Sequence, residues 1–206
     1  MSEIKWLKYA LTHVSDGFEE LRFRKKGSVK IAVVIVLMFF VADVVSDRLY
    51  GFQFRISDDR TFNVIPHITS SIGLFLAWVT GCSAVSTFLD GEGTARNTAI
   101  YTAYALVPYI AQKLINTILS HVLTRDEFTF MQIIQLAGTF WTVILLFSAV
   151  KAVHRYTFIR TVISIVTTVF FMLIMLFLLI LFMSLIQQMW LFVSAVYTEI
   201  LYRIRG

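Results

Sequence analysis

The chain has 206 residues, of which 58% are hydrophobic and only 15% charged, with a formal net charge of +5 and a mean hydropathy of +0.77. A soluble domain carries about a quarter charged residues, so this composition excludes most soluble folds and points to lipid contact. Five crossings of ~20 residues plus short loops use up this length and leave no room for a separate catalytic module.

Residues 1–28 read as a cytoplasmic, amphipathic, basic segment. Ile4, Leu7, Leu11 and Val14 recur at helical spacing beside Trp6 and Tyr9, and Ser15-Asp16-Gly17 interrupts the pattern. Asp16 and Glu19 offer a cap for a second short helix through Phe18 and Leu21. Aromatic residues among lysines and arginines suit the headgroup layer of a membrane. The competing reading is a solvated helix packed on the cytoplasmic ends of the spans. The first thirty positions hold Lys5, Lys8, Arg22, Arg24, Lys25, Lys26 and Lys30. Before an apolar run, such a block indicates anionic headgroups and topology, not nucleic acid. The start of the chain does not read as a cleavable leader.

Five apolar segments follow, at about 29–45, 64–88, 99–119, 128–150 and 162–185. They define an all-α polytopic membrane helix bundle, residues 29–186, with a helical extension at 187–206. The first contains IAVVIVLMFFVA, and the loop after it holds three Arg and three Asp. The second opens at Pro66, and LDGEGTARN links it to the third. Pro108 removes a backbone donor in mid-span and is expected to kink the third helix. Thr124 with Glu127 forms a capping box ahead of the fourth span. Gln187 and Gln188 close the fifth, yet no Pro or Gly stops the helix. Its continuation, with Glu199 and Arg203 four apart, is expected to lie along the outer leaflet or project from it.

Orientation follows from the Lys and Arg count. With the N-terminus inside, cytoplasmic segments hold the seven residues above plus Arg96, Lys151, Arg155 and Arg160. The outer segments hold Arg48, Arg55, Arg60, Lys113, Arg125, Arg203 and Arg205. That bias predicts a cytoplasmic N-terminus and an external C-terminus.

Asp43 and Lys113 are ionisable groups inside spans. Counting at ~1.5 Å per residue places both roughly 20–25 Å from the cytoplasmic face, so they are expected to pair. The pair reads either as part of a polar cavity or proton path, or as a structural ion pair or two separately snorkelling side chains. The structural versions are favoured. In the turn Asp90-Gly91-Glu92-Gly93 two carboxylates could meet a hard cation, but such ions want six or more oxygens. A tight turn with positive-φ glycines and helix-capping acids is the favoured reading. Tyr101, Tyr104 and Tyr109 cluster around Pro108, where packing is a commoner cause than a binding cleft. Cys82 has no partner for a disulfide, and His13, His121 and His154 fall at surface or loop positions. No metal site, cofactor site or catalytic constellation can be assembled from these residues.

Several segments together resemble one family. They are DGFEELRFRKKGS (16–28), FLDGEGTARNTAIYTAYALVPYI (88–110), and VHRYTFIRT (153–161) ahead of the LIQQMWLFVSAVYTEILYR ending. The stretch from Tyr104 to Pro108 is similar to the Tyr-x-Leu-x-Pro signature of the third span in the Yip domain family. These are five-span membrane proteins named for interaction with Ypt/Rab GTPases, and the likeness is to the bacterial branch. The chain lacks the long N-terminal region and Asp-Leu-Tyr-Gly-Pro motif of eukaryotic members, so GTPase binding is not carried over. DRLYGF (47–52) imitates that motif on the wrong side of a span. The resemblance implies a non-enzymatic scaffold or accessory subunit that touches other integral membrane proteins, such as ABC-type sugar permease subunits, or a second copy of itself. The alternative is a small transporter or channel with a polar path near Asp43, Lys113 and Pro108. Asp90, Gly91, Glu92, Gly93, Tyr104 and Pro108 are the family-motif residues, and Arg22, Arg24, Lys25, Lys26 and Lys30 the membrane-surface cations.

Overall fold

The computed structural model describes residues 3–13, 16–23, 27–54 and 63–205, which are helical throughout apart from short turns. The helices in chain order are α1 (Glu3–Thr12), α2 (Asp16–Phe23), α3 (Val29–Leu49), α4 (Val64–Ile68), α5 (Leu74–Phe88), α6 (Ala95–Ala105), α7 (Val107–Leu119), α8 (Phe128–His154) and α9 (Phe158–Arg205). A widened π-helical turn, Thr69–Gly73, joins α4 to α5 without interrupting the rod.

Among the described residues, four helices are long and apolar enough to cross a bilayer: Val29–Leu49, Val64–Phe88, Arg125–His154 and Phe158–Ile200. The segment predicted as the third crossing is two shorter helices, α6 and α7, jointed at Leu106. Both pack against α3 and α8, so together they run the length of the bundle. The cause of the joint is Pro108 in the first turn of α7. Proline donates no hydrogen bond and its ring clashes with the carbonyl four residues earlier. The Leu106 N–H turns instead to the Ala103 carbonyl at 3.1 Å.

The connections sort to two ends. At the first, Arg22 Nη2 meets Glu92 at 3.0 Å, Arg22 Nη1 donates to the Ala152 carbonyl at 2.8 Å, and Lys151 lies 3.7 Å from Glu19. At the other, the Gly51 N–H donates to Ser120 Oγ at 2.8 Å and Arg125 Nε to the Gln53 carbonyl at 3.0 Å. This alternation requires α6–α7 to traverse the bundle as the other four do. Residues 55–62 of the first loop lie outside the described residues.

The N-terminal hairpin uses its apolar face against the protein. Trp6, Ala10, Phe18 and Leu21 are buried in one core with Ile100, Tyr101, Ala103, Ala152 and Val153, and the Phe18 and Tyr101 rings sit 6.1 Å apart. Of the two arrangements open to this segment, packing on the helix ends is the one observed. The side chain of Asp16 lies outside the described residues, so its capping role does too. The capping box at Thr124 is present, with the Thr124 N–H donating to Glu127 Oε2 at 3.1 Å.

α9 is the outlier. Its 48 residues extend about 72 Å, against ~30 Å of hydrocarbon in a bilayer. Thr161, Ser164 and Thr168 are fully buried, and a Cβ on Gly81 of α5 would stand only 3.4 Å from Thr168 and 3.3 Å from Met172. Small residues on both helices thus allow a close approach, which is how helices associate where lipid supplies no hydrophobic drive. Beyond Met175 the contact stops, and every side chain from 176 to 200 is exposed. The helix passes through Gln187 and Gln188 without a break.

Candidate functional site

Asp43 lies fourteen residues past the start of α3, about 21 Å along it, with side-chain exposure of 14%. Lys113 of α7 donates to its Oδ1. His67 Nδ1 approaches Oδ2 at 2.8 Å, and Ser70 Oγ donates to the same oxygen at 2.9 Å. The structure therefore brings Asp43 and Lys113 together and adds two partners that the sequence reading left out. His67 also reaches outward, its Nε2 lying 3.4 Å from the half-exposed Asp47 carboxylate.

Local chemistry explains how α4 delivers these groups. The Asn63 side chain accepts from the Ile65 N–H at 3.0 Å and starts the helix. Pro66 then needs no donor partner in the first turn. The π-helical turn rotates Ser70 to a position where it serves both Asp43 and the His67 carbonyl. Thr69 and Ser71 take the Ile65 and His67 carbonyls at 2.9 and 2.5 Å. Turns of this kind are frequent at functional sites. A carboxylate so deep in a bundle is costly without compensation, and here three donors supply it.

Asp43 and Ser70 form one edge of a cleft of about 430 Å³, whose walls include Phe75, Trp78, Leu106, Tyr109 and Met172. The joint at Leu106 thus opens onto the ion pair. Chemically this is an apolar chamber with a charge-compensated carboxylate at its edge. It can orient a polar group or pass a proton between hydrogen-bonded partners.

The motif turn at the first end behaves differently from its expectation. Asp90 carries the positive φ, at 53°, and neither Gly91 nor Gly93 does. The glycines are required for clearance. A Cβ on Gly91 would lie 2.5 Å from the Tyr156 hydroxyl and 2.8 Å from His154 Nδ1, while one on Gly93 would collide with Val153 and His154. The acids do not cap α6; Thr94 does, accepting from the Asn97 N–H at 3.4 Å. Glu92 instead bridges Arg22 at 3.0 Å and Arg155 at 3.3 Å. His154, expected near the surface, is 1% exposed, because this turn, Cys82 of α5 and the Tyr156 ring close on it. Its Nε2 stands 3.6 Å from Cys82 Sγ. Burial pushes the neighbouring Tyr156 phenol above its ordinary pKa.

The other singled-out residues are placed as follows. Tyr104 is buried and its hydroxyl accepts from the Ser28 N–H at 3.2 Å. Pro108 is in the first turn of α7. Lys30 is exposed in the first turn of α3. Arg24, Lys25 and Lys26 lie outside the described residues. No group of three His, Cys, Asp or Glu positioned to hold a metal exists among the described residues. His67 could have been found by the depth count that paired Asp43 with Lys113, since it enters the second span at nearly the level where Asp43 leaves the first.

No curated protein and no solved structure matches this chain. Residues 8–182 match the sequence model of the Yip1 domain, which takes in α2 to α8, the second half of α1 and the first half of α9, and the chain therefore belongs to the Yip1 domain family.

Proposed function

We propose that this multi-pass membrane protein is a non-enzymatic scaffold or accessory subunit of a membrane protein complex. In this reading it sits in a bacterial cytoplasmic membrane with its N-terminus inside. The observation that carries the reading is the distal part of α9. Twenty-five consecutive residues, 176–200, are exposed and largely apolar, on a helix more than twice as long as the hydrocarbon is thick. Such a segment makes contact outside its own bundle. The polar cluster at Asp43, by contrast, is closed on itself: each of its donors already serves the carboxylate. The bundle end that holds α1, α2 and the 89–94 and 155–157 turns also carries the larger share of Lys and Arg, which supports the cytoplasmic placement. A permease subunit of an ABC-type transporter is the partner class that the family resemblance suggests.

Affinity purification of the full chain from native membranes tests this. A discrete integral membrane protein co-purifying at fixed stoichiometry is the expected result. A chain that purifies alone and by itself carries solute across reconstituted vesicles would replace the reading with the second one. That second reading, a small transporter, is favoured by the cleft between Asp43 and the Leu106 joint. It predicts flux that Asp43→Asn abolishes.

A further inference from the structure

A groove of about 460 Å³ runs along the outside of the bundle between α3, α5 and α6. Its lining, which includes Val33, Val36, Ile72, Phe75 and Ala99, is apolar except for Arg96 at its mouth. Beside it lies a second pocket of about 360 Å³, lined by Arg22, Gly27, Arg96, Asn97, Ile100 and Tyr101. Arg96 and Ile100 belong to both, so the apolar groove leads directly into a basic pocket at the first end of the bundle. From this juxtaposition we infer a binding site for an anionic phospholipid, its phosphate between Arg96 and Arg22 and one acyl chain along α3 and α5.

The charges select the occupant. No acidic residue lines either pocket. Arg22 is held in place by the Ala152 carbonyl and Glu92. Arg96 forms no ion pair among the described residues, and neither does Lys30, one position after groove-lining Val29. Both cations occupy the first turn of a helix, where the positive end of the helix dipole disfavours them. A bound anion offsets that cost, and the guanidinium fork suits a phosphate. Arg24, Lys25 and Lys26 immediately precede Gly27, so the chain adds three further cations next to the pocket in sequence. An apolar groove opening to the bilayer and ending in arginines fits a lipid better than a soluble anion, which has no use for the groove. The site borders the Asp43 cleft at Phe75 but shares none of its polar groups, lies away from distal α9, and does not rest on the accessory-subunit reading.

Native mass spectrometry of the delipidated full chain in detergent, titrated with phosphatidylglycerol, phosphatidylcholine or glycerol phosphate, tests the inference. Wild type should prefer phosphatidylglycerol, and Arg96→Gln should lower that preference about fivefold, as expected for one cation at an anionic headgroup. Arg125→Gln at the opposite end should leave it unchanged. Val33→Trp, at an exposed groove position, should weaken binding of both lipids. The inference is overturned if Arg96→Gln keeps the wild-type preference, or if Arg125→Gln lowers it equally. It is overturned as well if Val33→Trp binds lipid like wild type, or if glycerol phosphate alone binds as tightly as the lipid.

Discussion

Lys113 of α7 and Asp43 of α3 meet as an ion pair seventy positions apart in the chain, and His67 and Ser70 close on the same carboxylate from the second span. The pair ties the jointed crossing to its neighbour near the far end of the bundle. Removing Asp43 leaves the Lys113 charge uncompensated in the bundle, and removing Lys113 leaves the carboxylate only the His67 and Ser70 hydrogen bonds.

Asp43→Asn or Lys113→Met alone should therefore destabilise the protein by roughly 3 kcal/mol, the low end for a broken buried pair, because the Lys113 side chain keeps 22% exposure. The double variant should be more stable than the worse single variant, since no lone charge remains. Unfolding titrations of the detergent-solubilised protein read this directly. Strictly additive losses would show that the two charges are not coupled.

The glycines give predictions of opposite sign. Gly93→Ala forces a methyl into Val153 and the His154 ring, and overpacking of that kind costs about 1–3 kcal/mol. At Gly73 the same methyl finds only ordinary contacts, 3.7 Å from the Ile68 carbonyl and 3.8 Å from Thr69, with φ at −61°. Gly73→Ala should be neutral or stabilising by up to ~1 kcal/mol. Thermal midpoints of the two variants, measured side by side, should move apart.

The N-terminal hairpin is held by apolar burial more than by its ion pairs. Phe18 is fully buried, whereas Glu92 is largely exposed. Phe18→Ala should cost about 3–5 kcal/mol of docking and open residues 3–23 to protease. Glu92→Gln should cost under ~1 kcal/mol and leave the hairpin protected, even at high salt. Release by Glu92→Gln alone would reverse this ranking.

What the sequence makes legible here is what depends on neighbours in the chain. The apolar runs, the Thr124–Glu127 cap and the Pro108 break all act within a few residues, and each is found where spacing places it. Depth counting carried one step further, to the Asp43–Lys113 encounter. Ser70 escaped because a π-helical turn changes the register of the second span, and no apolar pattern encodes that turn, whereas His67 precedes the turn and lay within reach of the same depth count. His154 escaped for a different reason: a glycine turn and Cys82 of α5, distant in sequence, close on it. Gly91 and Gly93 read as torsional glycines because turns commonly need them, yet their role is to let that imidazole come close.

The distal half of α9 bears the account's central claim, and site-specific photocrosslinking in native membranes tests it most directly. Probes at Leu191 and Val196, both exposed on distal α9, should yield one discrete adduct with another integral membrane protein. A probe at Phe140, exposed on α8 within the bundle, should yield lipid adducts only. If the α9 probes also capture nothing but lipid, the partner-binding role is contradicted.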